Sequence, residues 1–497
     1  MRKWLAVASW VVIAACSSSS DDGPGGAAGS GGGGAGGTSG AGGTGGTGGG
    51  QEHLAAGVRL TEIALYQGVK RSLMVSGEQV DSDVPIIAGR DGLVRVFYET
   101  DAAYDGGPVT ARLHLAGGAP LEVQGTLEGA SAEANADSTL NFIIPGDRIG
   151  EELSFAVEVL AEGPGADHPG ARFPAEGSAS VVVEGEPNQL RVVLAPFRYN
   201  ADGSGRLPNL GEAEVEAIRA RLLALYPVSD VSIRVREPHD WANAIDPDGS
   251  GWQGAGFTLA GFRNADGESE DVYYYGIFNP RDSFFDYCRA GCLLGVTLLN
   301  DSPPDVGNPF LRLALGVGYE SYAASTAAHE LGHAHGRAHV NCGPGVDPRS
   351  IDASYPHAGT TIGTWGYDIT TGALKDPAEF SDIMGYCSKQ HVSDYTFTAL
   401  FNRGRHVNKP RVIGELRYTL IGLDGRGGAE LGGSLEREVP LEGQGVHVTL
   451  SGAHPRALRG EFFRYDHLPG GWLLVPEDEP LERAEFTVDG QFYRVAR

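Results

Sequence analysis

The sequence predicts a multidomain chain with β-rich units at both ends and an α+β unit between them. Three observations carry this. Short runs with partial apolar alternation, separated by Gly, Pro and Asp turns, fill 53–187 and return over 411–497. A strand, helix, strand order opens the middle of the chain near Leu190. A helical segment ending in His329-Glu330-Leu331-Gly332-His333 then concentrates metal-binding side chains in one place.

In chain order, Arg2 and Lys3 followed by the apolar run Trp4 to Ala15 read as an export signal over 1–15, too short to anchor as a membrane span. The run ends in Ile13-Ala14-Ala15-Cys16, which resembles a bacterial lipobox and implies that cleavage leaves Cys16 as a lipidated N-terminus. Residues 16–52 are Gly, Ser, Thr and Ala with almost nothing to bury, so they are expected to form a flexible tether. Some 35 such residues reach roughly 30 to 35 Å. The predicted location is outside the cell, lipid-anchored to an outer membrane or cell surface, with plain secretion as the alternative.

Over 53–187 the strand candidates are Val58 to Tyr66, Leu93 to Tyr98 and Ser154 to Val159, and a β-sandwich is the expected class. The middle unit, 188–410, opens with a strand at Leu190 to Ala195. A helix follows over Glu212 to Tyr226, with Val215, Ile218, Leu222 and Leu225 at helical spacing and Pro227 as its stop, and then a strand at Val231 to Val235. Asp246-Pro247-Asp248-Gly249-Ser250-Gly251 copies the opening of a calcium loop, but its twelfth position is Phe257 and no flanking helices are evident. Calcium is therefore weakly supported there, and a β-turn is the default. Asn200 to Gly203 and Asn264 to Gly267 read as turns for the same reason.

Ser325 or Thr326 is the expected cap of the next helix. Residues four apart lie on one helical face, so His329 and His333 can reach one metal ion, with Glu330 placed to hold a water beside it. Gly336 can take positive φ, ending the helix sharply and returning His339 as a third ligand. His335 points roughly 200° away from His333 and is read as a non-ligand. Three neutral imidazoles with an open fourth position describe a catalytic zinc site rather than a closed structural one. A bare H-E-x-x-H arises by chance in roughly a few per cent of chains with this histidine content, and the added Gly and third His reduce that to on the order of one in 10,000.

These eleven residues, His329 to His339, resemble the zinc signature of the metzincin metallopeptidases. Ser381-Asp382-Ile383-Met384-Gly385-Tyr386 resembles the Met-turn of that clan, and Met384 is one of only two methionines after the signal. The resemblance covers about 325–387 and assigns no family within the clan. It implies a mixed twisted sheet above the active-site helix, with Met384 lying beneath the zinc histidines. It also implies Glu330 as the base for a metal-activated water and Tyr386 as a donor to the metal or the transition state. The strand Cys292 to Leu299 then becomes a candidate sheet edge where an extended peptide would pair. After the Met-turn, Ser393-Asp394 opens a short helix carrying Phe397, Leu400 and Phe401, and a small β accessory unit occupies 411–497.

Apart from Cys16 there are four cysteines, an even number in an exported chain, which argues for two disulfides. Cys288 with Cys292 and Cys342 with Cys387 is the favoured pairing of three, because Cys342 and Cys387 flank the site and would clamp the third-ligand loop to the Met-turn. A thiolate of Cys342 on zinc is the competing idea. The charge of −26 becomes −28 without Arg2 and Lys3, which disfavours nucleic acid and anionic lipid as partners. The expected activity is zinc-dependent hydrolysis of peptide bonds in extracellular proteins. An inactive, adhesin-like surface protein on a metalloprotease fold and a metal hydrolase of non-peptide bonds are the alternatives. Whether the N-terminal β unit covers the cleft is left open.

Overall fold

The structure, a computed structural model, describes residues 51–163, 165–185, 189–289, 291–298, 311–343, 346–407, 416–437, 441, 443–451, 456–477 and 481–496. The signal, Cys16 and nearly all of the tether lie outside them. The layout is multidomain and β-rich, with five α-helices among the described residues. None of these helices is long and apolar enough to cross a membrane.

The N-terminal unit has two antiparallel sheets. One runs in the order Glu78–Gln79, Lys70–Val75, Val58–Tyr66, Gly92–Thr100, Leu140–Ile144; the other runs Glu52–Leu54, Glu152–Glu162, Pro108–Leu115, Leu121–Thr126. Their inward positions, among them Ile63, Val94 and Val96 from the first and Val109, Ala111 and Val157 from the second, share one core. The unit docks onto the middle of the chain through Arg90, which is 1% exposed. Its guanidinium donates to the carbonyls of Gln67, Val228 and Leu223, at 2.6, 2.5 and 2.7 Å. Leu223 lies in the last turn of helix α1 (Glu212–Leu225), where carbonyls lack helical partners and a cation is favourable.

The central sheet runs Asp230–Val235, Gln189–Tyr199, Val272–Phe278, Leu313–Val317, Gly295–Thr297. Neighbours are parallel except the last pair, so Gly295–Thr297 is an antiparallel edge. Side chains alternate between two cores. Leu190, Val192, Tyr273, Tyr275 and Ala314 face α1 together with helix α4 (Glu320–Ala334). Val193, Phe197, Tyr274 and Leu315 face helix α2 (Trp252–Asp266). A sheet covered on both faces needs apolar residues on both, which is why Val272–Phe278 is buried throughout and shows no alternation to read. Neither that strand nor Leu313–Val317, which directly precedes α4, was among the strand candidates.

Three expectations are corrected here. Helix α2 begins directly after the Asp246–Gly251 turn and runs through Asn264 to Asp266, with Gly267 at φ 65° ending it, so Asn264–Gly267 is a helix end rather than a free turn. Three glycines, Gly254, Gly256 and Gly261, lower the helical propensity of this segment and hide it. Helix α4 starts at Glu320, not at Ser325 or Thr326; Ser325 Oγ instead donates to the Tyr322 carbonyl within the helix. The region after 415 is one seven-stranded antiparallel sheet, not a sandwich. One of its faces, with Leu420, Phe463, Tyr465, Trp472 and Leu474, is buried in the same core as α2, while the other, with Ile421, Val448, Phe462, Leu473 and Phe486, curls round a core of its own. Helices α3 (Phe284–Tyr287) and α5 (Asp394–Val407) complete the set, and α5 buries the expected Phe397, Leu400 and Phe401.

Candidate metal centre

The centre is built on the C-terminal half of α4, whose Ala-rich sequence favours helix. The helix ends in a Schellman arrangement: the Arg337 N–H donates to the Gly332 carbonyl at 3.0 Å, and the Gly336 N–H to the His333 carbonyl at 2.7 Å. Gly336 takes φ 83°, the conformation expected of it. The chain then returns His339 into the fold, where its N–H donates to the Ser350 carbonyl at 2.8 Å and its carbonyl accepts from Asp352 N–H at 2.8 Å.

His329, His333 and His339 are buried and come together. His333 Nε2 lies 3.1 Å from His329 Nε2 and 3.0 Å from His339 Nε2. Each ring has an acceptor at its other nitrogen. His329 Nδ1 lies 2.6 Å from the Ile383 carbonyl, and His333 Nδ1 lies 2.6 Å from the Arg337 carbonyl. His339 Nδ1 lies 2.6 Å from Ser350 Oγ, whose own proton goes to the Asp347 carbonyl at 2.9 Å. The protons therefore sit on Nδ1, and three Nε2 lone pairs face one another with no proton among them.

Such a cluster cannot hydrogen-bond to itself, and a cation satisfies it. Nitrogens about 2.0 to 2.1 Å from one tetrahedral ion stand about 3.3 Å apart, so the observed separations suit a metal of zinc's size. Burial and the neighbouring rings hold all three imidazoles in the neutral form that ligation requires, with His329 lowered to about 3.

The turn Asp382 to Tyr386 lies against His329 and Gly332 of the helix. Asp382, fully buried, shapes it by accepting from the Met384 N–H at 2.8 Å and the Ser393 N–H at 3.0 Å. The Ile383 carbonyl within it fixes the His329 tautomer. A Cβ on Gly332 would stand 2.5 Å from Met384 Sδ, so the glycine of the zinc motif is what admits the methionine beneath the helix. The strand-like pairing of Val340 N–H with the Met384 carbonyl and Tyr386 N–H with the Cys342 carbonyl, at 2.9 and 2.7 Å, joins the third-ligand loop to the turn. The Cys342–Cys387 disulfide closes the same junction, and Cys288 pairs with Cys292. With Cys342 oxidised, the alternative of a Cys342 thiolate on zinc falls away.

Glu330 is 2% exposed, and its carboxylate fills the space left by Gly295 of the edge strand, where a Cβ would come within 2.5 Å of it. Burial pushes its carboxyl up to about 8. Tyr386 Oη lies 2.9 Å from His339 Nε2, at the mouth of the cluster. His335 faces the other way, stacked on Tyr273 with ring centroids 4.2 Å apart. The Asp246 carboxylate takes Arg281 at 3.2 Å and Asp248 takes the Ser250 N–H at 3.0 Å.

Two residues of the centre were not anticipated. Asp466 and His467 come from the loop between strands Arg456–Arg464 and Gly471–Pro476 of the C-terminal sheet. His467 Nε2 lies 3.1 Å from Glu330 Oε1 and 3.1 Å from Asp466 Oδ2, and the other side of its ring is hydrogen-bonded to Tyr386 Oη. Asp466 Oδ2 is 3.4 Å from His333 Nε2. Nothing in local spacing marks an isolated Asp-His pair in a loop between two strands. No family model matches this chain and no curated protein matches it, so what the centre does is argued from its geometry.

Proposed function

We propose that the chain is a zinc-dependent endopeptidase of the metzincin type. The observation that carries this is the set of three proton-free imidazole nitrogens on one buried point, with a carboxylate beside them and a sheet edge along them. His329, His333 and His339 would hold the ion, oriented by the Ile383 carbonyl, the Arg337 carbonyl and Ser350 Oγ. When bound, zinc supplies Lewis acidity, lowering the pKa of water and polarising a carbonyl.

The remaining work belongs to the chain. Glu330 accepts the proton of the attacking water and returns it to the leaving amine nitrogen. Tyr386 Oη, beside the third ligand, donates to the oxygen that becomes negative as the carbonyl is attacked. The antiparallel edge Gly295–Thr297 is where an extended peptide would add, once the Thr297 groups that Asp466 holds are released. Met384 and the Cys342–Cys387 link keep the loop of the third ligand from drifting.

The test is cleavage of an unbiased peptide library by the wild-type chain and by His467→Ala, with and without chelator. Chelator-sensitive cleavage is expected, falling roughly 10²- to 10⁴-fold when Glu330→Ala is added. No cleavage by either protein, or cleavage that survives chelation, would sink the reading. Two disulfides suit an oxidising compartment. Export and lipid anchoring through Cys16 are part of the same proposal, to be checked by fatty-acid labelling that Cys16→Ala abolishes.

A further inference from the structure

The C-terminal sheet contributes more than support. Tyr465 forms an antiparallel bridge with Leu298, directly after the edge strand. The next residue, Asp466, continues this contact. Its N–H points to the Thr297 carbonyl at 3.4 Å, and its Oδ1 accepts the Thr297 N–H at 3.2 Å. The outward main-chain groups of Thr297, at one end of the edge that an extended peptide would use, are therefore occupied by the chain itself. His467 follows and enters the centre. One of its ring nitrogens lies with the ligand nitrogens of His329, His333 and His339 in a group whose members are all within 4.8 Å of one another. Closing from there to the about 3.3 Å of a tetrahedral set is within reach of a side-chain rotation.

We propose that His467 is a fourth ligand of the metal, carried across the domain seam by residues 465–470, so that the folded chain holds its ion in a closed four-imidazole site with Tyr465 and Asp466 in the place of a peptide. The inference rests on the metal-centre reading above. A zinc ion with four protein ligands has no position for water, whereas a hydrolytic one needs that position. Asp466, fully buried beside His467, is the positioning residue: its Oδ1 accepts the His467 N–H at 2.7 Å and the Thr297 N–H at 3.2 Å, which fixes the backbone that presents the imidazole.

A role for His467 in acting on substrate is disfavoured by the same contacts. While residues 465 and 466 lie on Thr297 and Leu298, a peptide cannot pair with that end of the edge beside His467. The seam itself is extensive. Trp472 stacks on Phe257 of α2 at 5.4 Å, and Tyr418, Leu420, Phe463 and Leu474 share the core of the central sheet. The sheet is thus fixed at the seam, and the loop that carries His467 ends at Gly470 with φ 93°. A Cβ at Gly470 would strike the Leu423 carbonyl oxygen at 2.0 Å, so this end is built for a tight return.

X-ray absorption on the zinc-loaded, full-length wild type counts the imidazoles directly: four are expected, and three with a water oxygen would overturn the proposal. Independently, the Co²⁺-loaded chain can be titrated with acetohydroxamate, a small chelating probe that needs an open metal position. The wild-type visible spectrum should stay unchanged, while His467→Ala and the bulkier His467→Gln should respond. Both variants should also hold metal more weakly in chelator competition, by about 10- to 100-fold or more, the range lost when even an outer partner of a ligand is removed. Peptide-library cleavage should rise in both. Unchanged metal affinity and probe response in the variants would overturn the proposal, as would lost cleavage with the metal affinity intact. If the metal readouts change as expected but neither variant cleaves any peptide, His467 stands as a ligand and the peptidase reading falls.

Discussion

Two buried polar clusters, one in the N-terminal unit and one at the metal centre, differ in how their hydrogen bonds balance. In the first, Arg95 is fully buried. Its guanidinium donates to Thr139 Oγ1 at 3.2 Å, to the Glu133 carbonyl at 3.0 Å, to Glu133 Oε1 at 3.2 Å and to the Asn135 carbonyl at 3.3 Å. Lys70 joins Glu62 at 3.0 Å and also meets Glu133, which accepts from Tyr66 as well. Donors and acceptors match, and cation meets carboxylate. At the metal centre three acceptors converge and no proton is left to share. A matched cluster is complete in itself, whereas a cluster of acceptors alone is completed by a cation.

The comparison can be broken most decisively at the centre. His333→Ala should lose zinc through dialysis, read by elemental analysis. Zinc should stabilise the wild type but not this variant, by about 2.7 kcal/mol at a hundredfold excess over Kd, read as a shift of the thermal midpoint. A variant that still retains stoichiometric zinc would remove the distinction. In the matched cluster, Arg95→Ala should cost about 1 to 3 kcal/mol in denaturant unfolding, because it leaves the Glu133 and Asn135 carbonyls without their donor while Lys70 still holds the Glu133 carboxylate. That loss should be the same with and without zinc, and a zinc-dependent loss would contradict it.

Gly332→Ala sharpens the comparison from the packing side. Alanine favours helix by about 1 kcal/mol over glycine. Here its Cβ would press on buried Met384 Sδ, and overpacking of this kind costs about 1 to 3 kcal/mol. Net destabilisation is expected, relieved when Met384→Ala is added. A stabilised single variant would show that the methionine yields freely.

The most gradual expected effect, which builds only as the pH falls, comes from a buried histidine whose proton is matched. His391 Nε2 donates to the Gly68 carbonyl at 2.8 Å. Burial lowers its pKa from 6.5 to about 3, against the opposing pull of that hydrogen bond. The unfolded chain therefore binds a proton below pH 6.5 that the folded chain refuses. Stability from this group is whole above that pH and is lost as the pH falls toward about 3, by at most about 1.4 kcal/mol per pH unit. His391→Gln should flatten that part of the acid limb in unfolding measured from pH 7 to 4; an unaltered slope would assign the acid sensitivity elsewhere.

Much of the secondary structure was legible where one face is wet. The strand Val58–Tyr66 and helix α1 fall where the patterns put them, and Gln189–Tyr199, covered on both faces, was legible only as an apolar run over Leu190 to Ala195. Legibility failed where both faces are covered, as in Val272–Phe278, and where glycines weaken a helix that packing nevertheless holds, as in α2. It failed again at the C-terminal sheet, which curls round its own core on one face and packs on α2 with the other, so its strands are covered on both sides.

The same boundary divides the candidate site. The sequence by itself determined that His329 and His333 share a face, that Glu330 adjoins them and that Gly336 turns the chain back, because helical pitch and the freedom of glycine are properties of a few neighbouring residues. Only the tertiary structure decided that Gly295 makes room for Glu330, that the Ile383 carbonyl sets the His329 tautomer and that His467 reaches the metal ligands from another domain. Those placements follow from burial shared across the seam between two sheets, which no local period in the chain encodes.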